Sequence, residues 1–246
     1  KNSDVVVLCL GEGSYTETPG NLTDLTLSET QLKFAEAIIA TGKPVILVMV
    51  EGRPRIINRI ADKVSGILLA LNPSNEGGKA IADVIFGDYN PNGKLPFTYP
   101  RNPNNYLTYD HKLFEVEEIT FGNVATNPQF NFGHGLSYTT FEYSDLNVNL
   151  ENSLVNITFK IKNTGKIAGK ETAILYVRDE VASLTPPGKR VKRFAKISLN
   201  AGESKTLNFK LNIVDLTFIG ADNKPVFESG DFTVMVDKLK KTFTLK

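Results

Sequence analysis

The chain has no tryptophan, one cysteine, two histidines and two methionines in 246 residues. Without an indole, any sugar ring held here must stack on one of the 8 Tyr or 15 Phe residues, or on a platform supplied from elsewhere. A single cysteine excludes an intrachain disulfide. Cys9 lies within an apolar run with nothing basic beside it, so it reads as a small buried hydrophobe and not as a reactive thiol. The two histidines, His111 and His134, are far apart in an irregular stretch, and no ligand spacing points to a metal. A net charge of +1 gives no global field toward nucleic acid or acidic lipid. No apolar run reaches the length of a membrane span. No leader peptide opens the chain: Lys1-Asn2-Ser3 runs straight into a strand, so the chain reads as a domain cut from a longer one. Two sequons, at Asn21 and Asn156, are short enough to arise by chance.

What is present falls into two halves with different periods. In the first, Asp4–Leu10, Pro44–Val50 and Val64–Leu71 are continuous apolar runs. Between them Ser28-Glu29-Thr30-Gln31 has the form of a capping box, followed by Leu32, Ala35, Ile38 and Ile39 on one helical face and a stop at Gly42. A short helix is expected around Ile56, Ile57 and Ile60, and another from Glu76 to Phe86, closed by Gly87. Buried runs separated by amphipathic helices predict an α/β three-layer sandwich on a mostly parallel sheet covered on both faces. From Gly87 to about Tyr143, repeated prolines exclude long helices, and the stretch reads as a covering segment or linker. Beyond it the period becomes two, as in Val155, Ile157, Phe159 and Ile161, with turn signals such as Asn163-Thr164-Gly165 between runs. Without paired cysteines or a central tryptophan, the implied antiparallel sandwich is fibronectin type III-like and not antibody-like. The expected divisions are 1–125 for the α/β domain, 126–142 for a connection and 143–246 for the β-sandwich.

The loop from Gly11 to Asn21 follows the first run, where an open α/β sheet places its ligands. Gly11-Glu12-Gly13 begins like a dinucleotide fingerprint, but Thr16 stands where the third glycine belongs. A long polar loop intervenes before any helix, and Glu12 would repel a pyrophosphate. No cofactor is called for. Glu12 and Glu17 share the loop; a glycosidase needs two carboxylates about 5–5.5 Å apart for retention or about 6.5–9.5 Å for inversion. Neighbours on one flexible loop hold such a distance poorly, and catalytic groups want separate rigid supports. Without a motif, Glu12 reads more readily as a solvated loop acid than as a catalyst.

Three segments together resemble the C-terminal half of glycoside hydrolase family 3, the β-glucosidase and β-xylosidase family. They are Gly11-Glu12-Gly13-Ser14-Tyr15-Thr16-Glu17, the long signature from Asn72-Pro73-Ser74-Asn75-Glu76 to Gly93-Lys94-Leu95-Pro96, and Phe132-Gly133-His134-Gly135-Leu136-Ser137-Tyr138. The likeness spans essentially the whole chain in family order. It implies a retaining enzyme acting on terminal β-linked sugars, in which a (β/α)8 barrel provides the nucleophilic Asp and the following sandwich provides the general acid/base. Glu12 matches the acid/base position, while Tyr15 and Glu17 would shape the sugar pocket. The second and third segments would serve packing and docking. A barrel takes some two hundred residues or more, and none is present, so the chain alone is expected to be inactive, its partners being that barrel and a β-linked glycoside. The setting implied is secreted or periplasmic. The alternative is a non-catalytic carbohydrate-binding or scaffold module that keeps the fold and leaves the loop unused.

Overall fold

The computed structural model describes every residue except 1, 104, 106–108, 111, 113–126 and 152. The chain divides into two compact units. Of the described residues, the first takes in those up to Tyr89, 97–103, Asn105 and 127–132; the second takes in 90–96, Tyr109, Asp110, Lys112 and the chain from Gly133 onward.

In the first unit, β1 (Val6–Gly11), β2 (Val45–Val50) and β3 (Gly66–Leu71) pair parallel in the order β1-β2-β3. The helix α1 (Glu29–Ile39) starts where expected, with the Ser28 hydroxyl accepting from the Gln31 backbone N–H. It buries Leu32 and Ala35, and the chain turns away at Gly42, whose φ is +73°. The helix α2 (Gly77–Phe86) ends at Gly87 in the left-handed conformation, the backbone form glycine adopts without strain. The helix expected around Ile56, Ile57 and Ile60 is not formed. All three side chains are buried, but a turn and a 3-10 segment at Ala61–Lys63 carry the chain there. Tertiary burial overrides the helical spacing.

The expected mostly parallel sheet is corrected by the pairing. Among the described strands only β1–β3 pair parallel, beside an isolated parallel bridge between Thr26 and Ile56, and the sheets are mostly antiparallel. Two-sided burial also fails at β1. Leu8 and Leu10 are buried, but Val5, Val7 and Cys9 on the other face are exposed. An apolar run shows that a strand can be covered and does not show which of its faces is covered. Cys9 is therefore an exposed thiol and not a core residue.

The second unit is an all-β sandwich. β4 (Phe141–Glu151), β5 (Leu154–Asn163) and β8 (Ser204–Asn212) form one antiparallel sheet. The other has the order β12-β11-β6-β7, built from β6 (Gly169–Asp179), β7 (Arg190–Leu199), β11 (Gly230–Val236) and β12 (Leu239–Leu245). A two-residue pair, β9 (Phe218–Ile219) with β10 (Pro225–Val226), completes it. Ile157, Phe159, Leu175, Val177, Val234 and Val236 come from both sheets into one core. The period-two reading places most of these correctly; Phe194, in the same pattern, is exposed.

Between α2 and β4 the described residues form no helix or extended strand. Within the second unit the family-like segments meet: Leu95 exchanges backbone hydrogen bonds with Gly133 and His134, and the Lys94 ammonium donates to the Gly135 carbonyl at 2.8 Å. A Cβ on Gly135 would lie 2.0 Å from the Gly93 carbonyl oxygen, so these backbones touch only because residue 135 has no side chain. The packing role expected of the two motifs has this contact as its local form. His111 lies outside the described residues.

Candidate active-site loop

The loop leaves β1 under tight control. The Gln31 side chain accepts from the Gly11 N–H at 2.9 Å and donates to its carbonyl at 3.0 Å. The same amide donates to the Ser28 hydroxyl at 3.2 Å, so Gln31 both closes onto the helix start and ties α1 to β1. Gly11 has φ +149°, and a Cβ there would sit 1.8 Å from the Val50 carbonyl oxygen. The Glu12 N–H donates to that same oxygen at 2.9 Å.

Glu12 then turns its side chain inward, where it is 8% exposed. One carboxylate oxygen accepts from Arg53 Nε at 2.9 Å and Arg55 Nη1 at 3.0 Å. The other accepts from the Gly52 N–H at 3.1 Å and the Tyr15 hydroxyl at 3.3 Å. Four donors fill the four lone-pair sites of an ionised carboxylate. Burial works against the charge, but the hydrogen bonds from Arg53, Gly52 and Arg55 outweigh it and hold the carboxyl below its usual range. A group in this state is a fixed anion: it has no free lone pair to offer a substrate and binds a proton poorly.

Tyr15 is the second tether. Its ring lies 4.4 Å under the Arg53 guanidinium. It fills space that a side chain on either of two glycines would need: a Cβ on Gly20 would come 2.3 Å from the ring, and one on Gly52 would come 2.4 Å from the hydroxyl.

Glu17 is different in every respect. It is exposed at the loop's outer turn, and its side chain makes no hydrogen bond or ion pair among the described residues. It holds φ 49° and ψ −136°, a region that non-glycine residues seldom occupy, just before the 3-10 turn at Thr18–Gly20. Its carbonyl accepts from the Gly20 N–H at 2.9 Å, which closes that turn.

Behind the arginines lies Glu51, 1% exposed. Burial, the dominant cause, together with the nearby Glu12 charge, pushes its carboxyl up to about 7 against the pull of Tyr99 and Arg55. The Tyr99 hydroxyl lies 2.9 Å from Glu51 Oε1 and 2.6 Å from the Arg55 carbonyl oxygen. The hydroxyl is the donor toward either oxygen, so Tyr99 links the Glu51 carboxyl to the Arg55 backbone. Sequence reasoning missed Glu51, Arg53 and Arg55. The only signal was their place at the end of the second apolar run, beside the end of the first in a parallel sheet. No group of three or more His, Cys, Asp or Glu side chains among the described residues is arranged to hold a metal ion.

The C-terminal domain of glycosyl hydrolase family 3 matches residues 1–138, and a fibronectin type III-like domain matches residues 171–239. The chain belongs to glycosyl hydrolase family 3. Among its relatives in the family is a lysosomal β-glucosidase of Dictyostelium discoideum, 37% identical, with 96% of this chain matched to 30% of that protein. A β-xylosidase of Formosa agariphila is 40% identical over all of this chain and 35% of its own length. The crystal structure of a β-glucosidase from Listeria innocua in complex with glucose superposes with a TM-score of 0.88 at 31% identity, covering 99% of this chain and 36% of that one. This family 3 chain thus spans about a third of the length of the relatives it matches.

Proposed function

We propose that the chain is the portion of a retaining β-glycosidase that carries the general acid/base, and that the proton donor is Glu17 and not Glu12, the residue the sequence resemblance first picks out. The observation that carries the reading is the fourfold occupation of the Glu12 carboxylate. A proton donor must lose and regain a proton within one turnover. Glu12 is held as an anion by two arginines, whereas Glu17 is exposed, without a side-chain partner among the described residues, and strained, as residues at functional sites often are. In this reading neutral Glu17 protonates the glycosidic oxygen as the sugar–oxygen bond breaks and an upstream carboxylate attacks the anomeric carbon. The Glu17 carboxylate then takes a proton from the water that releases the sugar.

The nucleophile belongs to a barrel in the remaining two thirds of the length, and the isolated chain is inactive. The substrate class is terminal β-linked glucosides or xylosides, in keeping with what the relatives are called. A secreted or periplasmic location is part of the same proposal, in keeping with a relative called a periplasmic β-glucosidase; no helix among the described residues is long and apolar enough to cross a membrane. The three-layer form of the α/β domain and the divisions 1–125, 126–142 and 143–246 are part of the same proposal.

The test is a comparison of leaving groups in the full-length enzyme. Glu17→Gln should lower kcat/KM on poorly activated glycosides by about 10²–10⁴-fold and leave substrates with acidic phenol leaving groups nearly unaffected. Equal loss on both would reject the assignment. Tight titration of the isolated chain by cello- or xylo-oligosaccharides would instead favour a binding module.

A further inference from the structure

We infer that Glu12 and Tyr15 are positioning residues that hold the loop in the one shape that presents Glu17, an inference that rests on the reading of Glu17 as the proton donor. Glu17 lies two residues after Tyr15 and three before Gly20. The Tyr15 ring packs against Gly20, so both ends of this short span are fixed at one place. The Tyr15 hydroxyl donates to Glu12 at 3.3 Å, and Glu12 is fixed in turn by Arg53 and Arg55 from beyond the end of β2. Every link in this clamp joins the loop to a strand end or to its own far side. Between the tethers the chain has little slack, which accounts for the φ of 49° imposed on Glu17. Small displacements of a catalytic group cost rate steeply, on the order of 10²-fold for 1 Å. Residues that never touch the sugar can therefore set the rate through Glu17.

The experiment uses the full-length enzyme with Glu12→Gln, Tyr15→Phe, Tyr15→Ala and Glu17→Gln. Each is assayed for kcat and KM on a poor and an activated aryl glycoside, for its pH profile, and for protease cleavage within residues 13–20. Glu12→Gln and Tyr15→Ala should lower kcat on the poor substrate by about 10–100-fold, with KM unchanged and kcat/KM on the activated substrate spared. They should keep the alkaline limb that titrates the acid and should speed cleavage of the loop. Tyr15→Phe, which keeps the ring and loses one long hydrogen bond, should recover most of the rate. Glu17→Gln should abolish the alkaline limb. If Glu17→Gln loses that limb while Glu12→Gln and Tyr15→Ala show wild-type leaving-group dependence and loop cleavage, the clamp is refuted and the proton donor stands. If Glu17→Gln keeps the limb, both fall together.

Discussion

Glu12 and Glu51 both bond Arg55, and their carboxyls are shifted in opposite directions. Glu12 is held below the usual carboxylate range, so what it adds to stability is present above its ordinary value and fades as pH falls through the lowered one. Glu51 has the reverse sign. Its folded value of about 7 lies above the ordinary 4.5. The native state therefore binds the extra proton, and stability from this group is full below about 4.5 and declines as pH rises through about 7. At about 1.4 kcal/mol per unit, the decline is on the order of 3 kcal/mol. Glu51→Gln puts an amide toward Tyr99 and keeps an acceptor for the Arg55 N–H without titrating. Thermal melts from pH 5 to 8 should show the variant gaining on the wild type as pH rises, and a difference independent of pH would contradict the raised Glu51 value. Removing the partner anion is costly in another way. Glu12→Ala leaves two half-buried guanidiniums facing each other and should cost about 2 kcal/mol after allowing for their partial exposure, read by chemical denaturation.

At the scale of elements, two close approaches depend on single residues. Gly11→Ala forces a Cβ into the Val50 carbonyl. It should part the end of β1 from β2, release Glu12 from its arginines, and destabilise the protein by about 2 kcal/mol or more. In the second unit, Asn163 is fully buried at the end of β5. Its amide donates to the Ile167 and Leu199 carbonyls, while its carbonyl accepts from the Thr139 hydroxyl and the Gly165 N–H. With all four sites used, Asn163→Ala should cost about 2–3 kcal/mol, the price of unpaired buried partners. Asn163→Asp should cost more, because it turns two donors into acceptors facing carbonyls; an Asp variant as stable as wild type would exclude this network. The turn at Asn163-Thr164-Gly165 was legible from residue types, because Asn and Gly punctuate chains locally. Its fourfold bonding was not, since the partners come from three other places. The capping role of Ser28 was legible for the same local reason, and the reach of Gln31 to Gly11 was not. The apolar run of β1 located the strand, but which of its faces is covered depends on neighbours that no single run can report.

Across the whole molecule, both loop acids were visible in the sequence, and so was the family their surroundings resemble. What residue order concealed was their different settings, Glu12 held by two arginines and Glu17 exposed. Arg53 and Arg55 lie some forty residues downstream of Glu12, and only the parallel pairing of β1 with β2 brings them to it. The central claim is that one exposed carboxylate on this loop moves the proton while the other anchors it. It is tested most directly by adding azide to Glu17→Ala and Glu12→Ala full-length enzymes turning over an activated aryl β-glycoside. In the Glu17→Ala enzyme a small anion can enter the vacated space and attack the glycosyl-enzyme without base catalysis, so rate should recover and the product should be the β-glycosyl azide. Glu12→Ala should show no recovery and form only free sugar. Glycosyl azide from Glu12→Ala, and none from Glu17→Ala, would contradict the account.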